Sequence, residues 1–239
     1  MSEEKIIFLF GDSIARGSYF DFEKKRFAYN NQCYFELLKD KINAKLMNNS
    51  RSGNTLPMGL ETLNRLLETE PDIVVLAFGG NDSDLVWKEV VETPGDPHYA
   101  RTDHSVFFTV LKQTIEHLSY EEIIPILLTV PPIDAEKYLD FVSEYNEYNK
   151  SRILQQVGSA AYIYAWHERY NAAVIRAASE TDARLIDIRT AFLFENNYRD
   201  YLCEDGIHPN EKGHALIADC IQRYVLENSS ELLKREGFR

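Results

Sequence analysis

Cysteine is scarce: Cys33, Cys203 and Cys220 are the only three in 239 residues, and no two sit in a CxxC pair. That excludes a zinc ribbon or a disulfide framework as the source of stability, and three unpaired thiols fit a reducing compartment. Glycine and proline are also few, eleven and eight respectively, which excludes collagen-like and low-complexity chains. Basic residues are outnumbered 38 to 26, leaving a net charge of −12. Such a surface repels phosphates, so neither nucleic acid nor an anionic membrane is expected as the main partner. Long apolar runs are missing too, and no stretch approaches the ~20 residues a membrane span needs. The start, Met1-Ser2-Glu3-Glu4-Lys5, is polar and is followed only by Ile6–Phe10, which does not read as a signal peptide. A cytoplasmic protein without membrane insertion is the expectation.

What the chain does have is alternation. Short apolar runs at Ile6–Phe10, Ala44–Met47, Ile73–Phe78, Ile123–Val130 and Arg184–Ile188 are separated by segments with helical spacing. Three of the runs are nearly continuous Ile, Val, Leu and Phe, as strands buried on both faces require. The helical segments include Tyr34 to Lys41, Leu60 to Leu67, Phe107 to Leu118, Ile163 to Val174 and Leu216 to Val225. This pattern predicts an α/β fold with a parallel sheet and helices on both faces. The whole chain, 1–239, reads as one domain with a long loop insertion at about 83–103, where Pro94-Gly95-Asp96-Pro97 would break a helix. A second ambiguous stretch, Asp134 to Gly158, reads as one irregular helix.

Four segments carry groups capable of chemistry, each beside a strand end or the last helix. The first run leads into Gly11-Asp12-Ser13, where a hydroxyl can be presented at the sheet edge, although Asp or Ser at such a turn is often only a helix cap. After the second run, Arg51-Ser52-Gly53-Asn54-Thr55 offers a glycine whose backbone N–H can face a site. The third run ends in Phe78-Gly79-Gly80-Asn81-Asp82, which directs a side-chain amide above the sheet. Near the C-terminus, Asp205-Gly206-Ile207-His208-Pro209-Asn210 places a carboxylate within reach of an imidazole. That contact would fix the tautomer and leave Nε2 as a base. Nucleophile, base, orienting acid and hydrogen-bond donors are the parts of an acyl-transfer site.

These four blocks, in this order from position 11 to 208, resemble those of the SGNH (GDSL) hydrolase superfamily. The resemblance implies a three-layer flavodoxin-like sandwich around a central five-stranded parallel sheet. It also implies an esterase-like or lipase-like activity in which Ser13 attacks an ester carbonyl, His208 takes the proton and Asp205 orients His208. The oxyanion would rest on the backbone N–H groups of Ser13 and Gly53 and on the amide of Asn81. No metal or organic cofactor is implied. Substrates among such relatives range from O-acetyl groups and short acyl esters to lysophospholipids and thioesters; small acylated metabolites or sugars suit an acidic cytoplasmic protein best. Two other classes remain open. One is a flavodoxin-like binding module for a phosphate-bearing ligand, which the absence of a G-x-G-x-x-G loop disfavours; the other is a catalytically silent scaffold.

The remaining candidates are assigned more modest roles. Trp87, His98 and Tyr99 in the long loop are expected to line a substrate pocket. Neither His98, Asp103 and His104 nor Asp205, His208 and His214 has recognised metal-ligand spacing. His117 and His167 read as packing or surface residues, and Tyr162, Trp166 and Tyr170 as a core stripe. Glu121 and Glu122 read as solvated face.

Overall fold

The computed structural model describes residues 4–181 and 183–229. Its strands are β1 (Ile6–Gly11), β2 (Ser18–Asp21), β3 (Arg26–Tyr29), β4 (Lys45–Asn48), β5 (Ile73–Ala77), β6 (Ile124–Leu128) and β7 (Arg184–Ile186). The helices are α1 (Ser13–Arg16), α2 (Tyr34–Lys39), α3 (Leu56–Leu60), α4 (Leu63–Leu67), α5 (Gly80–Ser83), α6 (Trp87–Glu92) and α7 (His104–Tyr120). They continue with α8 (Ala135–Tyr145), α9 (Lys150–Val157), α10 (Ala160–Thr181), α11 (Ile188–Leu193) and α12 (Glu211–Asn228).

All five predicted apolar runs form strands of one sheet, ordered β4-β1-β5-β6-β7 and parallel throughout. This is the flavodoxin-type order. Period-two alternation divides each strand between two cores. Phe8, Phe10, Val74, Leu76 and Leu127 face α3, α4, α7 and α10. Leu9, Ile73, Ile126, Leu128 and Ile186 face α2, α11 and α12. Three layers result.

The connections differ from expectation in three ways. Residues 83–103 are not a plain loop: they contain α6, and Leu85 pairs with Ala100 in an antiparallel bridge that closes the excursion near its base. The Pro-Gly-Asp-Pro stretch falls just beyond α6, where proline's missing N–H costs no helical bond. The Asp134 to Gly158 segment forms two helices, α8 and α9, capped by Asp134 and Asn149; these side chains accept the Lys137 and Ser151 N–H groups at 3.2 and 2.9 Å. Between β1 and α2 stands an unanticipated antiparallel hairpin, β2–β3. Phe20 of this hairpin joins α6, α8 and α9 in a third apolar cluster with Trp87, Tyr138, Phe141 and Ile153. That cluster overlies the carboxyl edge of the sheet and walls the site described below.

Phe10 is fully buried and meets Phe78 edge to face, ring centroids 5.1 Å apart. Phe10→Ala is expected to cost about 3–5 kcal/mol, measured by urea unfolding. A loss under about 1 kcal/mol would mean that this face of the sheet is not tightly packed.

Candidate active site

Three adjacent strands deliver three of the expected groups. β1 lies between β4 and β5, and the segments that follow these strands carry Ser13, Gly53 and Asn81 in turn. Neighbouring strands are ~4.8 Å apart, so the serine emerges flanked by the other two. Ser13 opens the one-turn helix α1, whose cap Asp12 accepts the Ile14 N–H at 2.9 Å. The half-buried hydroxyl is thereby held at the sheet edge, outside the core.

Gly53 has φ 78° and Gly79 φ 128°, both in the left-handed region. Space does not demand glycine at 53, since a Cβ there would meet nothing within 4 Å; the backbone does. Gly79 turns the chain out of β5 into α5, which bears Asn81. Asp82 joins the two loops, its Oδ1 accepting the Leu56 N–H at 2.9 Å.

His208 closes the site from the other end of the chain. Its Nε2 accepts the Ser13 hydroxyl at 3.0 Å, 195 positions away in sequence. Its Nδ1–H donates to Asp205 Oδ2 at 2.7 Å. Asp205 Oδ1 accepts the N–H groups of Ile207 and His208, each at 3.0 Å, and Oδ2 also takes the Phe20 N–H at 3.4 Å from the hairpin. Burial works to raise the Asp205 carboxyl, but the hydrogen bond and charge of His208, with these backbone donors, outweigh it and hold the group below its ordinary value. The arrangement can pass the Ser13 proton to His208 and stabilise the imidazolium that forms.

Three other carboxyls behave oppositely, Asp12 and Asp82 buried and Asp84 half-buried. Burial pushes Asp12, Asp82 and Asp84 each up to about 6. Asp84 receives hydrogen bonds from Trp87 Nε1 and Tyr138 OH, at 2.8 and 2.7 Å.

Ser13, Gly53, Asn81 and His208 all line one cleft of about 450 Å³. Its far walls are mainly apolar and aromatic, from Phe27, Trp87, Phe141, Tyr162, Ile163 and Trp166 among others. Trp87 is one of these lining residues. His98 and Tyr99 are not: His98 donates from Nε2 to the Thr93 carbonyl at 3.0 Å, and Tyr99 is 69% exposed away from the cleft. The proline-bearing turn after α6 carries both outward. Of the aromatic stripe only Tyr170 is fully buried; Tyr162 and Trp166, two and one turns earlier on the same face of α10, stack with ring centroids 5.6 Å apart and line the cleft, with Trp166 also touching the core. His167 is buried but borders the cleft. His104 donates to the Arg169 carbonyl, Asp103 caps α7, and His214 Nδ1 accepts the Tyr34 N–H. Among the described residues no group of three or more His, Cys, Asp or Glu could hold a metal ion. Phe27, Asp82, Tyr162 and Trp166 were not legible as site residues, because contacts distant in sequence bring them there.

Because the Asp82 carboxyl lies above its ordinary 3.8 in the folded state, folding favours its protonated form between about pH 4 and 6. Its contribution to stability therefore falls as pH rises through that window. Asp82→Asn should raise the thermal midpoint relative to the parent more at about pH 7.5 than at about pH 4.5. A difference independent of pH would show that Asp82 does not titrate in this range.

The sequence model of the GDSL-like Lipase/Acylhydrolase family matches residues 9–216. No curated protein sequence matches the chain significantly. Among solved structures, the lipase/acylhydrolase from Enterococcus faecalis is similar with a TM-score of 0.65 at 22% identity, over 97% of this chain and 98% of that one. A catalytic mutant of an acetylxylan esterase from Geobacillus stearothermophilus gives 0.63 at 19%, over 94% of each chain. The psychrotrophic esterase EstA from Pseudoalteromonas sp. gives 0.60 at 18%, over 94% and 98%. At these identities the structural likeness establishes the fold alone, while the family match spans most of the chain. The chain belongs to the GDSL-like lipase/acylhydrolase family.

Proposed function

We propose that this protein is a serine carboxylic-ester hydrolase working through an acyl-enzyme on Ser13. The observation that carries the reading is the unbroken hydrogen-bond chain Asp205–His208–Ser13 at a cleft also lined by Gly53 and Asn81. Ser13 Oγ attacks the ester carbonyl as His208 Nε2 takes its proton. The negative oxygen of the tetrahedral intermediate is met by the N–H groups of Ser13 and Gly53 and the Asn81 amide. His208 then protonates the leaving alcohol, activates water against the acyl-enzyme, and returns the proton to Ser13 as the acid departs. No step calls for a metal or cofactor.

The substrate reading is a short-chain or O-acetyl ester of a small molecule. An acetyl group would fill a small part of a 450 Å³ cleft, leaving the walls to the alcohol. The stacked Tyr162 and Trp166 rings suit the flat apolar face of a sugar. Ile133, Phe141, Val142 and Ile163 favour a second reading, a longer acyl chain as in a lysophospholipase or thioesterase. A panel of esters varied in acyl length and alcohol separates the two. Three free cysteines support a reducing, cytoplasmic setting, and among the described residues no helix is long and apolar enough to cross a membrane.

Ser13→Ala should abolish ester turnover and fluorophosphonate labelling with little change in thermal midpoint. Retained turnover would remove Ser13 as nucleophile, and no labelling of the folded parent would favour a binding or scaffold role. Asn81→Ala should lower kcat by roughly 10²–10³, the usual loss for one oxyanion donor, with KM much less affected; a raised KM at constant kcat would make Asn81 a substrate anchor. Trp87→Ala should reorder the ester panel while Ser13 still labels, whereas Tyr99→Ala should leave the order unchanged. Equal panels for the parent and Trp87→Ala would show that this wall does not select substrate.

A further inference from the structure

We infer that Arg101 is a positioning residue that braces Asn81 and Gly53 in the orientation needed to bind an oxyanion. Its guanidinium donates from Nη1 to Asn81 Oδ1 at 3.3 Å and from Nη2 to the Gly53 carbonyl at 3.0 Å. The inference rests on the catalytic reading above, in which those two residues supply donors to the reacting carbonyl.

Chemistry decides what the first contact does. An arginine side chain has five N–H donors and no acceptor, so the Asn81 atom it meets must be the oxygen. The amide can then have only one flip state, with its NH2 group turned to the other side. Since Asn81 lines the cleft and Arg101 does not, that other side is the cleft. A charged donor on the amide oxygen also polarises the group and strengthens the NH2 as a donor. The second contact draws the Gly53 carbonyl away from the cleft. A carbonyl oxygen turned inward would repel a developing oxyanion, and Gly53, at φ 78° with open space around its Cα, is a residue that could rotate.

The backbone explains why this arginine is in place. The excursion that leaves the sheet after Asn81 returns directly beneath it. Arg101 N–H donates to the Asp84 carbonyl at 2.8 Å and Thr102 N–H to the Asp82 carbonyl at 3.1 Å. Leu85 and Ala100 pair beside them, and the Thr102 carbonyl accepts Tyr170 OH at 2.6 Å from α10. Residues 100–102 thus run antiparallel to 82–85, fixing the root of the Arg101 side chain against the segment that carries Asn81. The long insertion shapes the cleft through α6, and through Arg101 it also reaches the donors.

The test is a double-mutant cycle on p-nitrophenyl acetate hydrolysis with parent, Arg101→Met, Asn81→Ala and the double variant. Methionine keeps the apolar stem of the side chain and removes the donors. Arg101→Met is expected to lower kcat about 10- to 100-fold, the scale of one charge-assisted hydrogen bond, with KM changed less than about threefold. In the Asn81→Ala background the same substitution should cost markedly less, because the amide it orients is gone. Arg101→Lys should recover only part of kcat, since one ammonium cannot reproduce the fork. Thermal midpoints and far-UV circular dichroism report folding. If Asn81→Ala slows turnover but Arg101→Met matches the parent, or if the two losses multiply independently, the bracing role is overturned while the oxyanion reading stands. If Asn81→Ala itself is fully active, the oxyanion reading fails first and the bracing role falls with it.

Discussion

A parallel sheet buried on both faces returns every strand in the same direction, and therefore releases every strand's chain at one edge. The site follows from that constraint. β1 sits between β4 and β5, so the segments after these strands emerge side by side, with Ser13 between Gly53 and Asn81. No long-range device is needed to bring together residues separated by forty and seventy positions; the pleated register of three strands does it. His208 is the exception, because it approaches from the turn before α12, beyond the last strand. Its position is secured by Asp205, whose oxygens gather two backbone N–H groups of its own turn and one from the β2–β3 hairpin. The hairpin is thus tied to the carboxylate that accepts the His208 Nδ1–H, and Phe27 on it packs edgewise against the His208 ring.

The sheet and its two flanking layers position chemical groups, while the excursions supply walls. Trp87, Tyr138, Phe141 and Ile163, all from segments inserted between sheet elements, form a third apolar cluster and border the cleft at the same time. Segments of this kind are where one scaffold acquires different substrates. Arg101 couples the two roles, since it stands on an excursion and touches residues of the sheet edge.

The strands and the four chemical blocks were legible because each depends on local signals: continuous β-branched and aromatic runs, glycines at strand ends, and a carboxylate three residues from an imidazole. The helix α7 was legible for the same reason, with Phe107, Leu111 and Leu118 on one face; its cap, Asp103, was not. What was not legible depends on contacts distant in sequence. The Leu85–Ala100 bridge that places Arg101, the hairpin seated on Asp205, and the turning of Tyr162 and Trp166 toward the cleft leave no periodic trace. His98 and Tyr99 were misplaced because their amphipathic character is equally at home on a surface. Side-chain type names what a loop could do, and tertiary closure decides which of its residues can do it.

Four aspartates lie in or beside this site, three of them buried and Asp84 half-buried, and burial alone would raise all four. It does not, because their donors differ. Asp12, Asp82 and Asp84 are lifted to about 6 by burial that their hydrogen bonds only partly offset, and Asp82 raises Asp12 further by like charge. Asp205 is as buried as Asp82 yet is held below its ordinary value by His208 and by two adjacent backbone N–H groups. Near pH 5 the sole carboxylate among the four with a settled negative charge is therefore the one facing the imidazole. At neutral pH the other three ionise as well. The positive charge of Arg101 also lowers the carboxyls of Asp82 and Asp84, though less than burial and their strongest hydrogen bonds act on them. The guanidinium that bonds Asn81 and Gly53 therefore also favours the charged form of two acids that follow Asn81 in the chain.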